Sequence, residues 1–166
     1  MKRKHVVAAV TLAAALIAAD PPVGEPVRLS TVRYDELTEA IRKQKGKVVV
    51  VDFWADYCLP CKREFPKLVA LHRRFADAGL VAMSVSLDDA ADLAARQRVK
   101  AFLEGRRASF ANYLLDEKPT LWQSRLKAEG PPVVYVFNRK GELEERFADE
   151  IDYTKVESLV ADLLKK

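Results

Sequence analysis

The stretch "VDFWADYCLPCKREFP", residues 51–66, holds the only two cysteines of the chain, Cys58 and Cys61, with two residues between them. It begins in a run of valines and passes into a helical pattern, so the pair sits where a buried strand hands over to a helix. At a helix mouth this spacing puts both sulfurs on one face within the first turn. A disulfide closing so small a loop constrains the unfolded chain little, which argues against a purely stabilising staple. A structural zinc site needs four ligands. The other candidates are His5 and His72, the latter about 16 Å from Cys61 if both lie on one helix. A redox couple remains. Cys58, at the helix N-terminus, meets unpaired backbone N–H groups and the macrodipole, both of which favour a thiolate, so it is the attacking sulfur. Cys61, one turn in, keeps its proton longer and resolves the mixed disulfide. Pro60 fits the first turn, where a missing N–H costs nothing. Lys62 and Arg63 add positive charge nearby, although solvent screening leaves the helix end as the stronger influence.

The pattern outward from the motif places it in an α/β chain. "YDELTEAIRKQKG" reads as a short helix stopped by Gly46, and "KVVVVDFWA" as a strand buried on both faces. From Cys58 to about Ala78, Phe65, Leu68, Val69, His72, Phe75 and Ala76 recur at helical spacings. "LVAMSVS" is a second buried strand and Asp89 to Glu104 a second helix, with Ala91, Ala95, Val99, Phe102 and Leu103 on one side. "SFANYLLD" reads as a short extra strand, followed by a helical turn near Trp122. "VVYVF", the turn "NRKG" and "ELEERF" form a hairpin. Asp152 caps a last helix with Val156, Leu159, Val160 and Leu163 inward. The expectation is a mixed sheet with helices on both faces.

The 166 residues, 49% hydrophobic and 31% charged, suit one domain with one sizeable core. "MKRKH" followed by the apolar run "VVAAVTLAAALIAA" has the layout of a secretory leader over residues 1–19. Asp20-Pro21-Pro22 stops the run short of the roughly 20 apolar residues of a spanning helix. A cleaved signal peptide is expected, with a retained membrane anchor as the alternative. Residues 20–30, "DPPVGEPVRLS", read as a linker and residues 31–166 as the domain. Lys2, Arg3 and Lys4 belong to the leader, so its removal leaves 25 Lys and Arg against 24 Asp and Glu. The net charge of +4 then falls to about +1, which argues against a nucleic-acid partner. An exported chain lives where disulfides persist, yet two cysteines in so large a core point to chemistry rather than stapling.

"VDFWADYCLPCKREFP", together with "GPPVVYVFNRKGE" at residues 130–142, resembles the thioredoxin fold, and within it the exported TlpA/ResA-like thiol-disulfide oxidoreductases. The resemblance covers about residues 30–166. It implies a three-layer α/β/α sandwich with a central mixed sheet and an insert before the strand that follows a cis-proline. Asp52 matches the family's buried acid, which accepts a proton from the resolving cysteine; on its strand it shares a face with Val48, Val50 and Trp54, so burial should raise its pKa. Glu64 matches the acid that this branch carries after its second cysteine, with a solvated helix glutamate as the plain alternative. Pro66 matches the proline of the active-site helix and removes the bond to the Lys62 carbonyl. Pro132 matches the cis-proline that holds an extended substrate chain. Pro131, Tyr57 and Leu59 depart from the family pattern; Pro131 has no N–H to give a substrate. Trp54 would shield the site from water or simply fill the core. His72, among core-facing positions, reads as structural.

The resemblance implies an exported enzyme that reduces protein disulfides, as in cytochrome c maturation or the upkeep of cell redox homeostasis in a periplasm. A membrane thiol-disulfide donor would recharge it. No cofactor is implied beyond the redox-active Cys58–Cys61 disulfide, and no metal. Alternatives are a disulfide oxidase with the opposite electron flow and a Cu(I)-handling module built on the soft cysteine pair. A peroxidase is disfavoured because "FWADYC" lacks the threonine that peroxiredoxins place before their cysteine. The segment from Asp88 to Ala128 exceeds what one helical crossover needs; it either enlarges the core or forms a specificity surface near Pro132.

Overall fold

A computed structural model describes residues 26–166. The expected leader, residues 1–19, lies outside the described residues, as do residues 20–25 of the expected linker. The elements run β1 (Leu29–Val32), α1 (Tyr34–Arg42), β2 (Val48–Trp54), α2 (Leu59–Phe75), β3 (Leu80–Ser86), α3 (Leu93–Gly105), β4 (Ala111–Leu115), α4 (Pro119–Leu126), β5 (Val133–Phe137), β6 (Leu143–Ala148) and α5 (Tyr153–Leu164). They build one six-stranded sheet in the order β1-β4-β3-β2-β5-β6. The first four strands are mutually parallel, β5 runs antiparallel beside β2, and β6 pairs antiparallel with β5 at the sheet edge. This is the expected three-layer thioredoxin-like sandwich.

The handedness of parallel crossovers decides which helix lies where. Passing from β2 to β3 to β4 moves one way across the sheet, so α2 and α3 share a face; passing from β1 to β2 moves the other way and puts α1 on the opposite face. The core divides accordingly. Val48, Val50, Trp54, Val134 and Val136 meet α2, α3 and α5, whereas Val49, Val51, Phe53, Val133 and Tyr135 meet α1 and α4. All seven residues of β2 are buried, as its unbroken apolar run requires.

Three boundaries differ from the sequence reading. β1 begins at Leu29 and Ser30, the last two residues of the expected linker, because four residues beside a proline-rich stretch show no alternation to detect. α3 starts at Leu93 rather than Asp89, since the Asp92 carboxylate caps Ala94 and Ala95 while Asp89 turns back onto the amide of Ala91. Ala91 is therefore exposed ahead of the helix. The insert is larger than expected: β4 lies between β1 and β3, and α4 is a full helix of eight residues.

Asn112 pins that inserted strand. It is 2% exposed, its amide donates to the carbonyls of Ala108 and Phe110, each at 2.8 Å, and its oxygen accepts from Ser84 Oγ at 2.8 Å. Ser84 is its register partner on β3. Asn112→Ala strands buried acceptors and a hydroxyl at once. It should cost about 2–3 kcal/mol in urea unfolding while leaving the cysteine chemistry intact.

Candidate active site

β2 ends at Trp54 and the chain turns through Ala55–Tyr57 to Cys58, the N-cap of α2. Cys58 and Cys61 form a disulfide with their Cα atoms 5.3 Å apart. The Cys61 amide points at Cys58 Sγ, 3.2 Å away, so a helix N–H serves this sulfur as the sequence predicts. Cys58 is 7% exposed and Cys61 3%, while Tyr57 and Leu59 project from the surface around them. α2 runs on through Pro66 to Phe75, with Pro60 in its first turn.

The turn into Cys58 is held by a network that sequence reading missed. The amide of Asp56 donates to buried Asp88, which also accepts from Ser86 Oγ, at 2.8 and 2.7 Å. The Asp56 carboxylate binds Lys62 Nζ at 2.7 Å and Arg98 Nε at 2.8 Å. The hydrogen bond from Lys62 and that from Arg98 hold Asp56 below the usual carboxylate range. The expected help of Lys62 and Arg63 to the thiolate is correspondingly reduced. Lys62 is neutralised by Asp56, and Arg63 lies 3.6 Å from Glu64.

Asp52 is 4% exposed, and burial pushes its pKa up to about 7 even though a hydrogen bond opposes the shift. That bond comes from Tyr153, at the start of α5, whose hydroxyl donates to Asp52 Oδ2 at 2.8 Å. Asp52, Tyr153, Cys61, Glu64 and Pro132 line one cavity of about 590 Å³. Glu64 is paired with Lys67 as well as Arg63, and the Lys67 hydrogen bond lowers its pKa. It stands at the cavity as a carboxylate held by two cations. Tyr153 had no sequence signal: it lies 101 residues from Asp52, and only tertiary packing joins them.

The Pro131–Pro132 peptide bond is cis, as expected for Pro132. The Pro131 carbonyl oxygen faces Cys58 Sγ at 3.8 Å. Of the two roles open to Trp54, a shield over the site where a substrate would bind or a filler of the core, the structure shows the second. It is 0% exposed, between Phe65 and Phe102 with ring centroids at 5.2 and 4.9 Å, in the same core cluster as the two cysteines. His72 packs edge-on against Phe110, and burial lowers its pKa, in keeping with a structural role.

Residues 24–146 match the AhpC/TSA family. The chain belongs to that family. Among its relatives, the AhpC/TSA chain is 27% identical over 141 residues to the thiol-disulfide oxidoreductase ResA of Oceanobacillus iheyensis, covering 85% of this chain and 66% of ResA. It is 27% identical over 106 residues to the thioredoxin-like protein YneN of Bacillus subtilis, covering 64% of this chain and 59% of YneN. The chain thus spans about three fifths to two thirds of the length of these relatives. The thioredoxin domain of a thiol-disulfide oxidoreductase from Bacteroides vulgatus superposes with a TM-score of 0.58 at 25% identity, covering 71% of this chain and 82% of that one. The motif-based resemblance to ResA-like proteins is borne out.

Asp52 ties stability to pH. Its carboxyl titrates near 3.8 when unfolded and at about 7 when folded, so the folded state alone holds this proton across that window. The contribution of Asp52 to stability therefore falls as pH rises from about 4 to 7. Asp52→Asn removes this fall and should gain on the order of 4 kcal/mol over the parent above pH 7, read from urea midpoints across pH. Tyr153→Phe deletes the bond that favours the ionised form; carboxyl NMR titration should place Asp52 about one pH unit higher.

Proposed function

We propose that the protein is an exported thiol-disulfide oxidoreductase that reduces disulfides in other proteins. The observation that carries this reading is the redox-competent pair itself: Cys58 caps α2 opposite the Pro131 carbonyl, and Cys61 shares a cavity with a carboxyl titrating near neutrality. In the reduced protein the Cys58 thiolate attacks one sulfur of a substrate disulfide. The substrate S–S bond breaks as the mixed disulfide forms, and the departing sulfur is protonated from water. Cys61 then gives its proton to Asp52 and attacks Cys58 Sγ. The Cys58–Cys61 bond closes, the second substrate thiolate leaves, and two electrons have passed to the substrate.

Tyr57, Leu59 and Pro60 form the apolar rim on which a substrate chain rests, with Pro131 and Pro132 on its far side. The dithiol must be restored by a second thiol donor, which for an exported protein means a membrane thiol-disulfide carrier. No cofactor besides the cysteine pair takes part. The basic and apolar character of residues 1–19 supports export to a periplasm, where disulfide reduction serves cytochrome c maturation and redox homeostasis. Among the described residues no helix is long and apolar enough to cross a membrane.

Electron direction is tested by equilibrating the purified protein in glutathione buffers of graded potential. A value near the roughly −270 mV of thioredoxin is expected; one near the roughly −120 mV of DsbA would make the protein an oxidase and overturn the proposal. Cys61→Ser should accumulate a mixed disulfide through Cys58 on gels run without reductant. Asp52→Asn should slow its resolution by about 10²-fold at pH 7 in stopped-flow traces. Export is read by fusing residues 1–25 to a reporter active only outside the cytoplasm.

A further inference from the structure

A second recess lies across the sheet from the cysteines, between α1, α4 and the β5–β6 hairpin, with a volume of about 400 Å³. Its size falls within the range of small-molecule pockets, about 300–1,000 Å³. Phe53, Tyr135 and Phe137 form its aromatic floor, with Phe53 edge-on to Tyr135 at 5.4 Å and Tyr135 edge-on to Phe137 at 6.1 Å. Leu143 stands at its edge with half its surface exposed.

Four cations line the same recess, Arg42, Arg125, Lys127 and Arg146, and no acidic residue does. None of the four joins an ion pair among the described residues. The cavity beside the cysteines is different: there Glu64, Asp149, Glu150 and Asp152 offset Arg63, Lys67 and Lys155. Arg146 is fixed in place, donating to the carbonyls of Leu126 at 3.1 Å and Lys127 at 2.7 Å, which are neutral and leave its charge uncompensated. Arg125 stacks over the Tyr34 ring at 4.7 Å. Arg42 and Lys127 are exposed and free to turn toward a ligand.

An apolar recess rimmed by uncompensated cations selects for a ligand with an apolar body and an anionic head, since the body leaves water while the head meets opposite charge. We propose that this recess binds a small amphipathic carboxylate, its aromatic or alkyl body over Tyr135 and Phe137 and its head between Lys127 and Arg42. The proposal does not depend on the direction of the thiol chemistry, since the recess and the cysteines lie on opposite faces of the sheet.

The test is an amide NMR titration of the full chain with 4-phenylbutyrate, and in parallel with the uncharged 4-phenylbutyramide. Saturable shifts at Leu37, Ile41, Tyr135 and Leu143 are expected, with a dissociation constant of about 1 mM or tighter and about tenfold weaker binding of the amide. Arg42→Gln combined with Lys127→Gln should weaken the carboxylate about tenfold and leave the amide unchanged. Leu143→Glu, at an exposed position, should abolish carboxylate binding while the spectrum stays dispersed, and disulfide exchange should continue in this variant. The proposal is overturned by shifts that do not saturate, by equal affinity for acid and amide, or by shifts centred on Cys58 and Cys61.

Discussion

The constraint on which the site depends is a carboxyl group placed in a strand that has no face open to water. β2 is buried along its whole length, and Asp52 is the one ionisable residue in it. Burying a charge there is costly unless it is neutralised or bonded. The protein does some of each: burial moves the titration to about 7, and a single phenol bond holds part of the ionised form. A carboxyl poised in this way is a poor contributor to stability and a good exchanger of protons near neutral pH. The same desolvation that makes Asp52 destabilising is what would suit it to take the Cys61 proton in the proposed chemistry, so one substitution alters both.

Topology explains why the cysteines stand above that acid. The β2 strand is where the connections diverge, α1 crossing on one face and α2 leaving on the other, and clefts open outside the carboxyl ends of strands at such a point. α2 starts there with its N–H groups unpaired, and Cys58 Sγ takes the one from Cys61. The insert leaves this geometry untouched, since β4 enters the sheet two strands away from β2. Its second helix, α4, ends beside the approach to Pro131, where Gln123 and Lys127 join Pro60 and Pro132 around a groove. The insert therefore both widens the sheet and reaches the rim of the site, two roles that sequence reading had posed as alternatives.

Much of this was legible from spacing alone. The valine run of β2, the cysteines at the head of α2, the hairpin and the Asp152 cap are local patterns, and each appears where the residues place it. What escaped was whatever depends on partners far along the chain. β1 has meaning only when β4 is beside it, and Tyr153 only when α5 folds back over β2. Trp54 was legible only as a choice between a shield over the site and a core residue, and packing against Phe65 and Phe102 decides for the core.

The charges near Cys58 illustrate how a motif can mislead. Two cations follow Cys61 in sequence, and counting them would assign the thiolate to Coulomb attraction. In the fold Asp56, two residues before Cys58, takes Lys62 and Arg98 for itself, and Glu64 takes Lys67. What remains aimed at the sulfur is the helix end, a fixed dipole that salt screens less than mobile side chains. On the other side of the sulfur stands the Pro131 carbonyl, an acceptor whose own residue has no N–H. Under the proposed function, a polypeptide laid along this edge would find acceptors but not the paired donor of a regular ladder, and its hold would come from side chains meeting Tyr57, Leu59 and the prolines. In that proposal, recognition would turn on which residues flank a substrate cysteine more than on backbone pairing.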